Sequence, residues 1–501
     1  MAVVFSTARN SSATCAVDGK LLHSSYNPER EAEHFVAGID TTFEPACIII
    51  IEPALSYCTL PLRRRFPHAE LCCIRLCGDF TAYDDSWDCV LYLAGTTEDA
   101  VCQLAETLFG HFGEERLCAL LALAWPTSER AFVACTRAAW EAIRRAVVKS
   151  RDVLYTRSHF SRRWLRNSVR LATQVRHAAI IGSCGNTPVI VAASGPSLRS
   201  SLPYLRRHRA RYLLLAVSSA LLPLLHAGLV PDMVLSTDGG HWAKNHLLPL
   251  RQLRKRPPLA LAAEGACSAE LFEEGDIVPL VYTGSLAEPL CRAAGLPFMY
   301  AQRNGTVSGT ALQLALALTS GSVFLCGLDL APAIGFQHTQ PNALEKYAEC
   351  HDDRLRSKET RAVAAQLASG SLAIYRDWFC THSHEFARRA YRLSAHFPYD
   401  QPLGEMQDVD WDFFDSHAPK AATPLPLHAV EVPATKDVVG KALAEELTQD
   451  RWDAELFPLE VVLYSRAQKP EEAAHLAEKL AAEKEALRTE LCAHCKNGAH
   501  E

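Results

Sequence analysis

Apolar residues run in short unbroken blocks through the middle of the chain, each closed by glycine, proline, serine or aspartate. Val189–Ala192, Tyr212–Val217 and Met233–Ser236 are three such blocks, and their length and apolar content predict buried strands. After the first, Ser194-Gly195-Pro196-Ser197 breaks the run, and Leu198, Leu202 and Leu205 then recur at helical spacing. That spacing predicts an amphipathic helix with an arginine-rich outer face. Ser219–Ala227 reads as a second helix, stopped by Gly228 and Pro231. Strand, small-residue turn, helix, strand is the pattern of a βαβαβ unit with a parallel sheet. The alternation continues with strands at Leu259–Ala263, Ile277–Tyr282 and Val323–Cys326, and a helix at Thr310–Leu318.

The N-terminal part has its own strand pattern, at Ala46–Ile51, Leu71–Leu76 and Cys89–Leu93. Between the first two lies Glu52-Pro53-Ala54-Leu55-Ser56-Tyr57, where a glycine-rich nucleotide turn would stand in a Rossmann-like unit. The glycines are absent, and without them backbone cannot approach a phosphate closely. From Gly113 to Gly182 the pattern reads as helical, with no strong β run. Ala131–Arg145 and Asp152–Val175 form an expected connecting helix pair, the second carrying Arg157, Arg162, Arg163, Arg166 and Arg170 on a solvated face. Near the end, Pro470–Thr489 is rich in Ala, Glu, Lys and Leu and reads as a charged helix. The expected fold is α/β, with a central Rossmann-like parallel-sheet domain, a smaller α/β domain before it and a helical C-terminal region after it. The corresponding boundaries are 1–115 for a degenerate accessory domain, 116–182 for a helical connector, 183–400 for the central domain and 401–501 for the C-terminal region.

Composition adds limits. A chain of 501 residues suits about three domains. It is 49% hydrophobic and 22% charged, and the net charge of −6 gives no reason to expect nucleic acid as a partner. The first residues lack a basic segment followed by a long apolar core, so no secretory leader is expected. Eighteen cysteines, many set in apolar runs such as those around Cys47, Cys72, Cys89 and Cys326, read as reduced thiols of a cytoplasmic protein. The uncharged stretches Tyr212–Val230 and Ser308–Leu328 are broken by Pro223, Gly228 and Gly321, which favours buried core over membrane.

In a parallel sheet, ligands bind beyond the carboxyl ends of the strands. Four polar turns are expected there: Ser194–Ser197, Ser218-Ser219, Asp238–Gly240 and Asn304–Gly309. Their small side chains and free N–H groups suit an anion such as phosphate. Asp329, just after the Val323–Cys326 strand, reads as a cap on a neighbouring turn. No P-loop pattern occurs. Asp408, Asp410 and Asp412 read as an acidic surface loop, and Cys492 with Cys495 as an isolated pair, so neither a metal nor a cofactor is expected.

The blocks AASGPSL at 192–198, AVSSALLPLLHAGLVPDMVLSTD at 216–238 and SGTALQLALALTSGSVFLCGLDL at 308–330 resemble the motility-associated-factor (Maf) glycosyltransferases. The pattern is also similar to bacterial sialyltransferases that use CMP-sialic acid, and to 6-hydroxymethylpterin pyrophosphokinase-like proteins. The likeness covers residues 150–400 and departs from the usual turn where Ala193 replaces a glycine. It implies a CMP-activated nonulosonic sugar as donor and flagellin as acceptor, with a non-catalytic flagellin-binding motility factor and a pterin pyrophosphokinase as alternatives. The apolar stripe of the 470–489 helix leaves an oligomer as a possible state. It implies that Ser194, Gly195 and Ser197 line the nucleotide, with Asn304, Thr306, Ser308 and Gly309 opposite; Ser218, Asp238 and Gly240 complete the rim. His338 is the first candidate for a general base and His351 the second, because imidazole titrates near neutrality.

Overall fold

The computed structural model describes residues 3–331, 335–367, 370–393, 401–419, 421–433, 436–466 and 470–497. The chain divides into two compact units: Met1–His159 with Asp453–Glu485, and Phe160–Trp452 with Ala486–Glu501. Two features of the connecting region differ from its expected helical pattern. The stretch read as wholly helical contains two strands, and its expected helix pair is one helix, Val133–Gln174.

The first unit holds β1 (Val3–Thr7), β2 (Ala13–Val17) and β3 (Lys20–Leu21), which pair antiparallel. It also holds β4 (Cys47–Ile51), β5 (Glu70–Arg75), β6 (Cys89–Tyr92) and β7 (Leu120–Ala124), in a parallel sheet of order β6-β5-β4-β7. β7 is one of the unexpected strands. Strand β4 is buried along its whole length because both its faces are covered. Cys47, Ile49 and Ile51 pack with Leu104, Leu108 and Ile143, whereas Ile48 and Ile50 pack with Val36 and Leu62. The strand order reverses at β4, where a parallel sheet opens a crevice. Here side chains fill it. Arg75 and Glu52 are fully buried and 3.0 Å apart. Arg75 also donates to Asp84 Oδ1 at 2.8 Å and Ser56 Oγ at 3.0 Å, and Trp87 Nε1 donates to the same Ser56 Oγ at 2.9 Å. Glu52, Ala54 and Ser56 all adopt positive φ (42°, 48° and 60°) despite having side chains. The network holds them there at a cost in backbone strain.

The second unit is built on one eleven-stranded sheet. Its strands are β8 (His177–Ile181), β9 (Val189–Ala192), β10 (Leu213–Val217), β11 (Met233–Ser236), β12 (Leu259–Ala262), β13 (Ile277–Tyr282), β14 (Met299–Ala301), β15 (Val323–Cys326), β16 (Ala390–Leu393), β17 (Gln407–Val409) and β18 (Leu427–Glu431). β8 is the second unexpected strand. The order is β17-β16-β15-β9-β10-β11-β12-β13-β8-β18, with β14 paired to β13. All pairings are parallel except that of β18 with β8. From β9 the chain steps to β10 and β11 on one side, then returns to lay β15, β16 and β17 on the other. That is the 3-2-1-4-5-6 order of doubly wound sheets, extended beyond the third strand by β12 and β13.

No helix among the described residues is long and apolar enough to cross a membrane. The uncharged stretch 308–328 holds most of the helix Val307–Leu318 together with β15. The aspartates expected on a loose acidic loop have structural work instead. Asp408 lies on β17 and takes a bidentate contact from the buried Arg392 (2.6 and 2.8 Å), and Asp410 caps the helix Trp411–His417 through the Phe413 N–H. A C-terminal helix, Pro470–Asn497, extends past the expected end at Thr489. The Cys492 thiol meets Gly440 O at 3.8 Å, and the Cys495 side chain lies outside the described residues.

Candidate functional site

The reversal of strand order lies between β9 and β15, whose residues run in parallel register from Val189 with Val323 to Ala192 with Cys326. Beyond that register the two chains stay in contact. Ala193 N–H donates to Cys326 O and Gly195 N–H to Gly327 O, each at 2.8 Å. A β-carbon on Gly195 would stand 2.6 Å from Gly327 O and 2.7 Å from Asp329 Cγ, so this turn requires glycine. Asp329 accepts from the Ser197 N–H at 2.8 Å and from the Ser197 hydroxyl. It caps the turn, as its position in the sequence implies, and the Leu198–Arg207 helix leaves from there.

The loop that follows β15 returns to this turn. Its residues 332–334, within the expected Pro332–His338 loop, lie outside the described residues. Thr339 N–H donates to Ser194 O at 2.7 Å, and the Thr339 hydroxyl donates to Gly195 O at 2.5 Å. These bonds carry His338 to the serine, whose Oγ is 2.9 Å from His338 Nδ1. From the end of β10, Ser219 Oγ donates to Ser194 Oγ at 2.8 Å. Asn342, fully buried, donates to Ser219 O at 3.5 Å and caps the helix Ala343–Glu349. Three hydrogen-bonding side chains from three strand ends thus meet at the reversal point.

His246 completes this wall. It lies on the 3-10 helix His241–Gln252, its ring centroid 6.4 Å from that of His338 and nearly perpendicular to it. It is 6% exposed, and its buried Nδ1 has no hydrogen-bond partner among the described residues. Burial, with the His338 charge a smaller cause, pushes its pKa down to about 4. His338 keeps an exposed edge, yet the surrounding walls disfavour its charged form and lower its pKa as well.

The other expected residues divide by role. Ser218 is buried at the end of β10, and Asp238 is exposed at the end of β11, where its Oδ1 accepts from Gly240 N–H at 2.7 Å. Asn304 is buried. With its amide turned to satisfy both ends, it donates to Thr306 O and Thr310 Oγ1 and accepts from Thr310 N–H, fixing the start of the Val307–Leu318 helix. Thr306 is the N-cap of that helix, Ser308 is half-buried in its first turn, and Gly309 leaves a β-carbon only 3.0 Å from Trp378. His351 stands apart from the serines. It is exposed beyond the Ala343–Glu349 helix, its Nδ1 3.1 Å from Tyr347 O and its ring against Tyr347, which in turn touches Trp242. Sequence reasoning placed the Ser218-Ser219 turn on the rim but missed His246 and Asn342 as parts of the site. Ser219 was visible only as a turn residue, and nothing marks His246 among 20 histidines.

Fold and site together define an α/β protein with a cluster of polar side chains at the strand-order reversal of a parallel sheet. Residues 162–335 match the family model described as 6-hydroxymethylpterin diphosphokinase MptE-like. An uncharacterized protein of Treponema pallidum (strain Nichols) is 29% identical over 320 residues, which span 62% of this chain and 67% of that one. The chain shares its fold with a MAf glycosyltransferase from Magnetospirillum magneticum AMB-1, at a TM-score of 0.54 and 12% identity over 99% of this chain and 92% of that one.

Proposed function

We propose that this chain is a cytoplasmic glycosyltransferase that moves a nonulosonic, sialic-acid-like sugar from a CMP donor to a serine or threonine hydroxyl of flagellin. The observation that carries the proposal is the meeting of Ser194, Ser219 and His338 where the strand order reverses, the usual ligand position of a doubly wound sheet. The strand order supports the Rossmann-like reading of this unit, and the fold shared with a MAf glycosyltransferase supports sugar transfer as the chemistry. On this reading Ser194, Gly195 and Ser197 follow the nucleotide, with Ser218, Asp238 and Gly240 along the same rim. Asn304, Thr306, Ser308 and Gly309 form the opposite side, and His338, with His351 farther out, serves the reacting end of the donor. Sugar transfer needs a cradle for the cytidine phosphate and stabilisation of the charge that the departing phosphate gains.

The family-model match favours a second reading, diphosphoryl transfer to a pterin. Nucleotide preference separates the two. Thermal unfolding of the full chain with CMP, UDP, GDP or ATP plus magnesium reads binding as a rise in apparent stability. Stabilisation by CMP, followed by a mass increase of one nonulosonic residue on flagellin co-expressed with the sugar pathway, supports the first reading. Stabilisation by ATP with magnesium and none by CMP supports the second.

A further inference from the structure

A hydroxyl has one proton to give, and this bears on the chain of contacts at His338. Ser219 Oγ donates to Ser194 Oγ, and it has no other hydrogen bond among the described residues. Ser194 Oγ accepts on that side, and among the described residues the acceptor within reach of its own proton is His338 Nδ1 at 2.9 Å. When Nδ1 accepts, the proton of a neutral imidazole resides on Nε2. His338 Nε2 has no partner among the described residues, and His338 as a residue is exposed.

We infer that Ser219 and Ser194 act as positioning residues that hold His338 in its Nε2–H form, so that His338 donates a hydrogen bond to an anionic oxygen in the crevice and is not the base for the acceptor hydroxyl. The oxygen is identified by its chemistry. It is the phosphate of a nucleotide, a part of the inference that rests on the proposed function. A base would need a lone pair on Nε2, and the serine relay places a proton there instead. His246 packs against the same ring from the 3-10 helix, and burial leaves it uncharged at neutral pH. No added positive charge from it competes with His338 for the phosphate. During transfer, the bond from the anomeric carbon to the phosphate oxygen breaks as one to the acceptor hydroxyl oxygen forms. The electron pair stays on the phosphate oxygen that His338 contacts, the hydroxyl proton passes to solvent water, and the contact strengthens as charge develops. His351 shows the opposite arrangement. A carbonyl only accepts, so the His351 Nδ1 facing Tyr347 O carries the proton, and its Nε2 has no partner among the described residues.

The test has two readouts on the full chain. Ring nitrogen spectra of the protein labelled with 15N-histidine, with His338 assigned from its loss in His338→Gln, report the tautomer without any ligand. An Nε2–H pattern in the wild-type chain, turning into a mixture in Ser194→Ala and Ser219→Ala but not in Ser219→Thr, supports the relay. An Nδ1–H pattern in the wild type overturns it. The second readout is CMP affinity. His338→Ala is expected to weaken CMP about ten- to a hundredfold, as loss of a hydrogen bond to a charged group does, and His338→Gln to recover part through its amide N–H. Unchanged CMP affinity in His338→Ala, with transfer lost equally in the alanine and glutamine variants, would restore the base role. A wild-type chain that binds no CMP removes the proposed function and the phosphate contact together, and the ring spectrum still decides the tautomer.

Discussion

Gly195 N–H donates to Gly327 O at 2.8 Å, and a β-carbon on Gly195 would lie 2.6 Å from that same oxygen. The small-residue turn is small because two strand ends touch there, whatever else it binds. Gly195→Ala is expected to destabilise the chain by about 1–3 kcal/mol, the usual cost of overpacking a tight site. Gly240→Ala is the control, because its new β-carbon meets the end of the exposed Asp238 side chain, which can move. Urea unfolding of the two variants checks the difference, and equal losses would contradict it.

A titration follows from His246. Its pKa is about 4 in the folded chain against an ordinary value of 6.5. The unfolded chain therefore binds more protons between those values, and stability falls as pH drops from 6.5 toward 4. Burial of this one group accounts for roughly 3 kcal/mol of that loss. His246→Phe should flatten the lower part of the stability profile measured by denaturant unfolding at stepped pH. A slope identical to wild type would show that His246 ionises freely.

The two strand-order reversals make opposite expectations for ligands. In the first unit, Arg75, Glu52, Asp84 and Ser56 occupy the space a nucleotide turn would need. Glu52→Ala leaves Arg75 short of a partner within a fully buried pair, and should cost about 3–5 kcal/mol. CMP affinity of the folded fraction should stay unchanged, as it should in Tyr57→Phe, which removes only a hydroxyl donating to Ala13 O. A tenfold loss of affinity in the milder Tyr57→Phe would show that the first unit takes part in binding.

Ser308→Trp tests the side of the proposed cleft opposite His338. Ser308 is half-buried in the first turn of the Val307–Leu318 helix. Indole bulk there should abolish CMP stabilisation and sugar transfer together, with little change in the melting temperature of the ligand-free chain. Retained CMP binding, read by thermal shift, would place the nucleotide elsewhere.

Much of the second unit was legible in the sequence because its strands are buried on both faces and announce themselves as apolar blocks. Val189–Ala192, Met233–Ser236, Ile277–Tyr282 and Val323–Cys326 match the expected strands residue for residue. Asp329 was legible too, since a carboxylate just past a strand end has few partners other than the neighbouring turn. The strand Leu120–Ala124 was not. Its LLALA lacks β-branched residues and reads as readily helical, and it becomes a strand because Cys47–Ile51 offers a parallel edge. Strand order was equally hidden, because local periodicity carries no record of which distant strand a segment pairs with. The site depends on that order. Ser194 and His338 are 144 positions apart in sequence, and only the return of β15 to the side of β9 brings them within a hydrogen bond. The sequence determined the fully buried central strands and which turns would be small and polar. The tertiary structure decided which of those turns meet, because pairing between distant strands is what sets Ser194, Ser219 and His338 side by side.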